Sequence, residues 1–277
     1  MRKTIILILV LAILLVTGKA FSAQGQWGGF IYLTPKSGNM IPADKKGNIL
    51  QTLKMDIKSF GNDFNPKKGR IETIQFYKGY DYSQDGKSLM KNIPTILIKV
   101  ESLEKAKIDS FFKKVSNALN KYFDMKYRFG VTRQLNYTDT KTLARLKDNA
   151  PKRSNGKDQP NAVIFPLSKT SAWWSLTSEK REQYFHKNTD MFGKNNLGHN
   201  EIGFKYIKRI YRKLYHSRFI DKQQDFVTYF EFADKDIDTY KSLLNGLRDK
   251  QINPEWKFVQ EKPIFWGKRM MSLDEIL

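Results

Sequence analysis

The chain contains no cysteine. That excludes disulfides, thiolate metal sites, iron–sulfur clusters and cysteine nucleophiles together. Histidine is scarce: His186, His199 and His216 are the only three in 277 residues. None stands in an HExxH pair or at another metal-ligand spacing with a carboxylate. No G-x-S-x-G elbow occurs, so Ser-His-Asp hydrolysis lacks its nucleophile. Glycine-rich phosphate loops are missing too, since Gly28-Gly29 alone is a weak signal. Acids are few, 28 Asp plus Glu against 49 Lys plus Arg, for a formal net charge of +21. The composition rules out a multi-span membrane protein. With 40% hydrophobic and 28% charged residues the chain can bury a core and is not disordered. Its length suits one large domain or two small ones.

Arg2 and Lys3 precede an uninterrupted apolar run from Ile5 to Val16, and Gly18, Ala20, Ser22 and Ala23 follow. This is the layout of a secretory signal peptide over residues 1–22, with cleavage after Ala20 or Ser22 fitting the small-x-small rule. The run is short for a ~20-residue membrane span; the alternative is an uncleaved N-terminal anchor. The expectation is a periplasmic protein with no stable membrane insertion after cleavage. Removing residues 1–22 takes away Arg2, Lys3 and Lys19 and leaves a charge of +18. An exported basic protein rarely meets nucleic acid, so none is expected as a partner. The field would instead concentrate small anions or favour anionic surfaces; the plainer reading is solubility.

Hydrophobic periodicity predicts strands at 27–34, 71–78, 95–101 and 130–137, with helices at 48–60 and 103–123 between them. The polar stretch LKDNAPKRSNGKDQ (146–159), bounded by Pro151 and Pro160, reads as a linker. Beyond it come strands at 161–167, 209–216 and 226–232, helices at 178–185 and 236–247, and an extended segment at 256–260. The order β-α-β-β-α-β occurs twice. The fold class is therefore α+β, a duplicated ferredoxin-like unit with antiparallel sheets, its halves at 23–150 and 151–277. Two such sheets could pair into a barrel and lose their edges.

Within the second half Trp173-Trp174 is a rare dipeptide. In the strand YRKLYH, Arg212, Leu214 and His216 share one face and Lys213 and Tyr215 the other. An arginine aimed inward there keeps its charge and needs a carboxylate, an anion or a ligand. A lone core histidine is by itself more often structural than a ligand.

The pieces VIFPLSKTSAWWSLTSEKR (163–181), RKLYHS (212–217), DFVTYFE (225–231) and SLDEIL (272–277), with GVTRQLNYTD (130–139) before them, resemble the chlorite dismutase family of haem proteins. The family fold agrees with the element order. The resemblance implies haem b in the second half and conversion of chlorite to chloride and dioxygen by a homo-oligomer, with a pentamer expected for longer members. It implies a proximal histidine thirteen residues before the strand arginine, which is His199. A second family spacing, fifteen residues after the first tryptophan, lands on Asn188 beside His186. The first spacing is preferred, with YFHKNTDMFGKNNLG (184–198) read as carrying an insertion. Arg212 matches the distal arginine, which would hold an anionic intermediate. Trp173 would line the haem pocket and Trp174 pack near a subunit boundary. Lys169 and Tyr137 match positions near the haem propionates. Glu255 is a candidate for the carboxylate that accepts from the proximal histidine, and His216 is expected to be structural. The competing readings are a haem protein of the same fold with peroxidase-like or other anion chemistry, and a haem-free basic binding protein.

Overall fold

The computed structural model describes residues 25–60, 71–80, 95–133, 140–149, 158–271 and 275. The signal segment, Tyr137 and most of the linker lie outside them. The first half runs β1 (Trp27–Pro35), α1 (Ala43–Ser59), β2 (Thr73–Gly79), β3 (Ile96–Ser102), α2 (Lys105–Leu119), β4 (Phe123–Val131) and α3 (Thr140–Asn149). The second begins with β5 (Asn161–Lys169) and the short helices α4 (Ser171–Trp174), α5 (Ser178–Glu182) and α6 (Thr189–Phe192). It continues with α7 (Gly198–Lys205), β6 (Tyr211–His216), β7 (Phe226–Phe232), α8 (Ile237–Arg248), a 3-10 turn at Pro254–Phe258, β8 (Val259–Glu261) and β9 (Phe265–Arg269).

All strand pairs are antiparallel, in the order β7-β6-β4-β1-β3-β2-β9-β5-β8, and an added β7–β5 pairing closes the sheet into a barrel. Each half keeps the ferredoxin-like order, β4-β1-β3-β2 and β6-β7-β5-β8. The two seams are short. One is the single pair Val131↔His216, and the other is β9 laid between β2 and β5.

Period-two alternation sorts the side chains. Ile31, Leu33, Ile74, Phe76, Ile98 and Val100 point outward and are covered by Leu53 and Ile57 of α1 and Ile108, Phe111, Phe112 and Val115 of α2. On the second half Val163, Phe165, Phe230 and Phe232 point outward beneath α7 and α8. Inside the barrel, Phe30 packs edge-on against Tyr215 and Tyr32 against Phe265. Gly28 and Gly130 are opposite each other in register, and a Cβ at either would strike Tyr215, at 2.4 and 2.7 Å. These glycines, near the ends of their strands, make room for the Tyr215 side chain.

The barrel also buries charge. Lys99 and Glu101 are completely inaccessible and lie 2.8 Å apart. Glu101 further accepts from Thr73 at 2.6 Å, from Lys213 at 2.5 Å and from the Tyr215 hydroxyl. Across the interior Glu231 accepts from Arg269 at 2.7 Å and from Tyr77, Tyr229 and Gln75. Gln75 Oε1 in turn accepts from Lys99 at 3.2 Å, so the two carboxylates share one network.

The sequence reading needs four corrections. Residues 146–149 belong to α3 rather than to a linker. The strand after α2 is Phe123–Val131, so the second predicted helix ends at Leu119, and a segment carrying Asp124, Lys126 and Arg128 is a strand because β1 pairs along its whole length. Residues 254–258 form a 3-10 turn opened by Pro254. β9 was not anticipated, because FWGKR is short and its partners are remote in sequence.

Removing one partner from a buried pair leaves an uncompensated charge, at a cost of about 3–5 kcal/mol. Glu101→Ala should therefore lower the thermal midpoint sharply, whereas Lys99→Met with Glu101→Leu should recover the part owed to Lys99, since Lys213 still loses its carboxylate. Calorimetry of the two variants checks this; equal losses would show that the network's hydrogen bonds, and not the unpaired charge, dominate.

Candidate functional site

The outer face of the second half is where polar groups converge. His199 is the second residue of α7. Its Nδ1 lies 2.6 Å from Glu255 Oε2, with both side chains largely buried. Two bare lone pairs cannot approach that closely, so a proton stands between them, carried on Nδ1. In the neutral imidazole Nε2 is then an acceptor, facing Arg212 Nη2 at 3.4 Å. The other Glu255 oxygen accepts from Lys169 Nζ, itself buried. Burial alone would push the Glu255 carboxyl up; the Lys169 ammonium and His199 override it and hold it well below the ordinary carboxylate range. Burial also pushes Lys169 down, and Glu255 is what keeps it charged.

Lys169 Nζ sits 4.4 Å above the Trp173 ring, and Trp173 is buried among Tyr184, Phe185 and Phe258. Phe185 also meets the His199 ring edge-on at 5.4 Å. These aromatics dry one side of the imidazole. The other side opens at Arg212, whose side chain is exposed on β6.

Arg212, Leu214 and His216 lie on one face of β6, and Lys213 and Tyr215 point into the barrel toward Glu101, as the alternation predicts. Arg212 stands on the outer face beside the imidazole, so it is not one of the barrel's buried cations. Lys169, expected near the haem propionates, has its ammonium on Glu255. Trp174 turns away from the imidazole: its Nε1 donates to Asp225 at 3.1 Å, it stacks on Phe226, and the Arg218 guanidinium covers it at 3.5 Å. Tyr137 lies outside the described residues. The His186 side chain is exposed. His216 packs edge-on against Phe226 at 5.2 Å.

Asp225 was missed from sequence. Its Oδ2 takes both the Trp174 indole and the Lys169 amide, at 3.1 and 2.8 Å, tying β7 to the tryptophan pair. An acid opening the strand DFVTYFE was the available signal.

Among the described residues no three of His, Cys, Asp and Glu converge to hold a metal ion. A single imidazole suits instead a metal whose other ligands come with it, as in a macrocycle. His199 fits that demand: its Nδ1 is turned to a carboxylate, which leaves Nε2 on the side of Arg212 as the atom that can ligate. Iron at Nε2 would require the Arg212 guanidinium to turn outward, which its exposure allows. Gly203 on α7 adds no bulk there; a Cβ at that position would meet only Arg212, at 3.7 Å.

The family model described as chlorite dismutase matches residues 95–270. A curated chlorite dismutase of Ideonella dechloratans is 29% identical over 119 residues, which is 43% of this chain and 37% of that protein, so the match spans little more than a third of the relative. Among solved structures, chlorite dismutase from Candidatus Nitrospira defluvii in complex with imidazole superposes with a TM-score of 0.68, at 19% identity over 94% of this chain and 97% of that one. A tryptophan mutant of that protein in complex with cyanide gives a TM-score of 0.68 over 94% and 96%, again at 19% identity.

Burial, and then the charge of Arg133, push the His216 imidazole from 6.5 down to about 4. Between those values the unfolded chain binds a proton that the folded chain does not. The stability His216 contributes is therefore full above pH 6.5 and falls as the pH drops toward 4. Thermal midpoints measured across that window should fall less steeply for His216→Phe than for the parent; an unchanged slope would refute the assignment.

Proposed function

Since the chain belongs to the chlorite dismutase family, we propose that it is an exported, haem-b-dependent oxidoreductase that converts chlorite to chloride and dioxygen. One observation carries the reading: an imidazole whose Nδ1 lies 2.6 Å from a buried carboxylate oxygen, with its Nε2 facing a strand arginine. Members of the family are haem proteins, and this donor set suits a haem ligand. The signal-like N-terminus supports a periplasmic location, and assembly as a homo-oligomer is proposed on the same family grounds.

His199 would ligate through Nε2. Glu255 would hold the proton on Nδ1 and so make the imidazole a stronger donor, while Lys169 keeps Glu255 anionic. Haem, when bound, supplies the redox chemistry that breaks the chlorine–oxygen bonds. Arg212, always cationic, would draw chlorite in, helped by the chain's positive field. It would then retain the hypochlorite anion close enough to react again. Trp173 with Tyr184, Phe185 and Phe258 keeps water from the proximal side. Trp174, stacked between Phe226 and Arg218, shapes the neighbouring surface rather than touching the imidazole.

A second reading, peroxidase-like chemistry, is favoured by the same carboxylate-backed imidazole, because an electron-rich ligand also promotes oxygen–oxygen cleavage. An oxygen electrode separates the two. The haem-loaded mature protein should release one dioxygen per chlorite, with chloride formed; a loaded protein that releases none would overturn the chlorite reading.

Arg212→Ala should still bind haem. Its turnover should fall by about tenfold, equivalent to one charge-assisted hydrogen bond of about 1.5 kcal/mol. It should also bleach sooner as hypochlorite escapes, and trapping of free hypochlorite by a chlorination reporter checks this. Parental turnover and lifetime in that variant would remove Arg212 from the mechanism.

A further inference from the structure

The stretch between His186 and His199, read as an insertion against the family pattern, has no part in the chemistry described above. Its geometry ties the two halves of the proximal pair together. Asn196 is completely buried. Its Oδ1 accepts the Asn188 amide at 2.7 Å, and its Nδ2 donates to the Ile252 carbonyl at 3.4 Å. The same carbonyl accepts the amides of Leu197 at 3.0 Å and Gly198 at 3.3 Å. Ile252 leads into the turn that carries Glu255, and Leu197 and Gly198 lead into His199. One carbonyl therefore joins the segment before the imidazole to the segment before the carboxylate.

The start of α7 is held as firmly. The amides of His199 and Asn200 donate to the carbonyls of Tyr184 and Phe185 at 3.2 and 2.9 Å. Helix-start amides that usually face water or a side-chain cap are here satisfied by the chain that precedes them. Gly198 makes this approach possible. Its φ is +76°, and a Cβ there would lie 2.5 Å from the His186 carbonyl. Glycine alone fits both demands.

We propose that residues 188–198 are a clamp in which Asn196 is a positioning residue. It sets the spacing of His199 and Glu255, and thereby selects the tautomer that leaves Nε2 as the ligating atom. The clamp rests on the haem reading only for what Nε2 binds. A 2.6 Å contact weakens steeply with small displacements. Partners of this kind commonly change metal affinity by about 10–100-fold when removed.

The test uses Asn196→Ala in the mature full chain. Nitrogen-15 NMR of labelled histidine in the haem-free protein reads the tautomer directly. The parent should show hydrogen on Nδ1 of His199, and the variant a mixture with the Nε2–H form. After loading, the variant should lose haem about tenfold faster, with a lower ferrous iron–histidine stretching frequency. Asn188→Ala serves as control. It removes the Asn188 side chain from Met191 N and Gln183, loosening the same segment, yet keeps the backbone amide that Asn196 accepts. It should lower the melting temperature and leave the tautomer alone. If Asn196→Ala does not fold, Asn196→Asp, which keeps the acceptor and loses the donor, is read the same way. An unchanged tautomer in the Asn196 variant overturns the clamp, as does an equal shift in Asn188→Ala. A tautomer shift in the Asn196 variant, together with a parent protein that takes up no haem, would uphold the clamp and overturn the haem reading.

Discussion

Glu255 is a carboxylate removed from water, and much of the second half follows from that. Alone in such a place it would take up a proton and cease to be an acceptor strong enough to orient an imidazole. Lys169 prevents this from one side and His199 from the other. Lys169 must in turn be dry and close, which requires the end of β5 to run beneath Trp173, whose ring faces the ammonium. The 3-10 turn opened by Pro254 brings the carboxylate to both partners. The charges, the aromatic wall and the turn are thus one arrangement, and a change in any of them alters the electron-donating power of the imidazole.

Strand β6 shows how site and barrel share a backbone without sharing a dielectric environment. Its inward residues, Lys213 and Tyr215, end on Glu101 in the barrel network. Its outward residues, Arg212 and His216, face the site and its flank. The pairing of β6 with β7 fixes both sets at once, with Arg212 opposite Phe230 and Lys213 opposite Tyr229. A shift of register by one residue would exchange them, sending Arg212 to a carboxylate and Lys213 to the imidazole. The buried ion pairs inside the barrel oppose that slip, because an unmatched charge there costs far more than a lost apolar contact.

Alternation and helical spacing made most of this fold legible. Phe226–Phe232 is read at its true bounds because every residue is apolar, aromatic or β-branched, or is the inward Glu231 that the network needs. The face assignment on β6 follows from period two alone. What escaped was non-local. β9 is a strand only because β2 and β5 present open edges to it, and nothing within FWGKR says so. Only the ends of β4 are read, Phe123 as helix and 130–131 as strand, because Asp124, Lys126 and Arg128 on its inward face break the apolar pattern between them. At the site, His199 was reached by the family spacing to Arg212, and Glu255 was named as a candidate only. Their contact depends on a turn and a clamp 50 or so residues apart, which periodicity does not encode. Asn196 and Asp225 are polar residues of kinds that abound on surfaces; only their hydrogen bonds in the folded chain reveal what they hold.

The two halves share a plan, yet the described residues place a polar site on one of them. The difference lies on the outer face of the sheet. In the first half α1 and α2 lay continuous apolar stripes on it, and Ile108, Phe111, Phe112, Val115 and Leu119 fill the space from end to end. A ligating group there would have to displace packed hydrocarbon. In the second half α7 is short, and its buried residues are Gly198, Asn200 and Ile202. Small and polar groups at those positions, with Gly203 beside Arg212, leave room for side chains that an apolar stripe would fill. Tyr184 and Phe185, between β5 and β6, and Ile252, after α8, then supply the carbonyls that a longer helix would have supplied itself. One copy of the fold thus serves as scaffold, and the other trades helical regularity for a site.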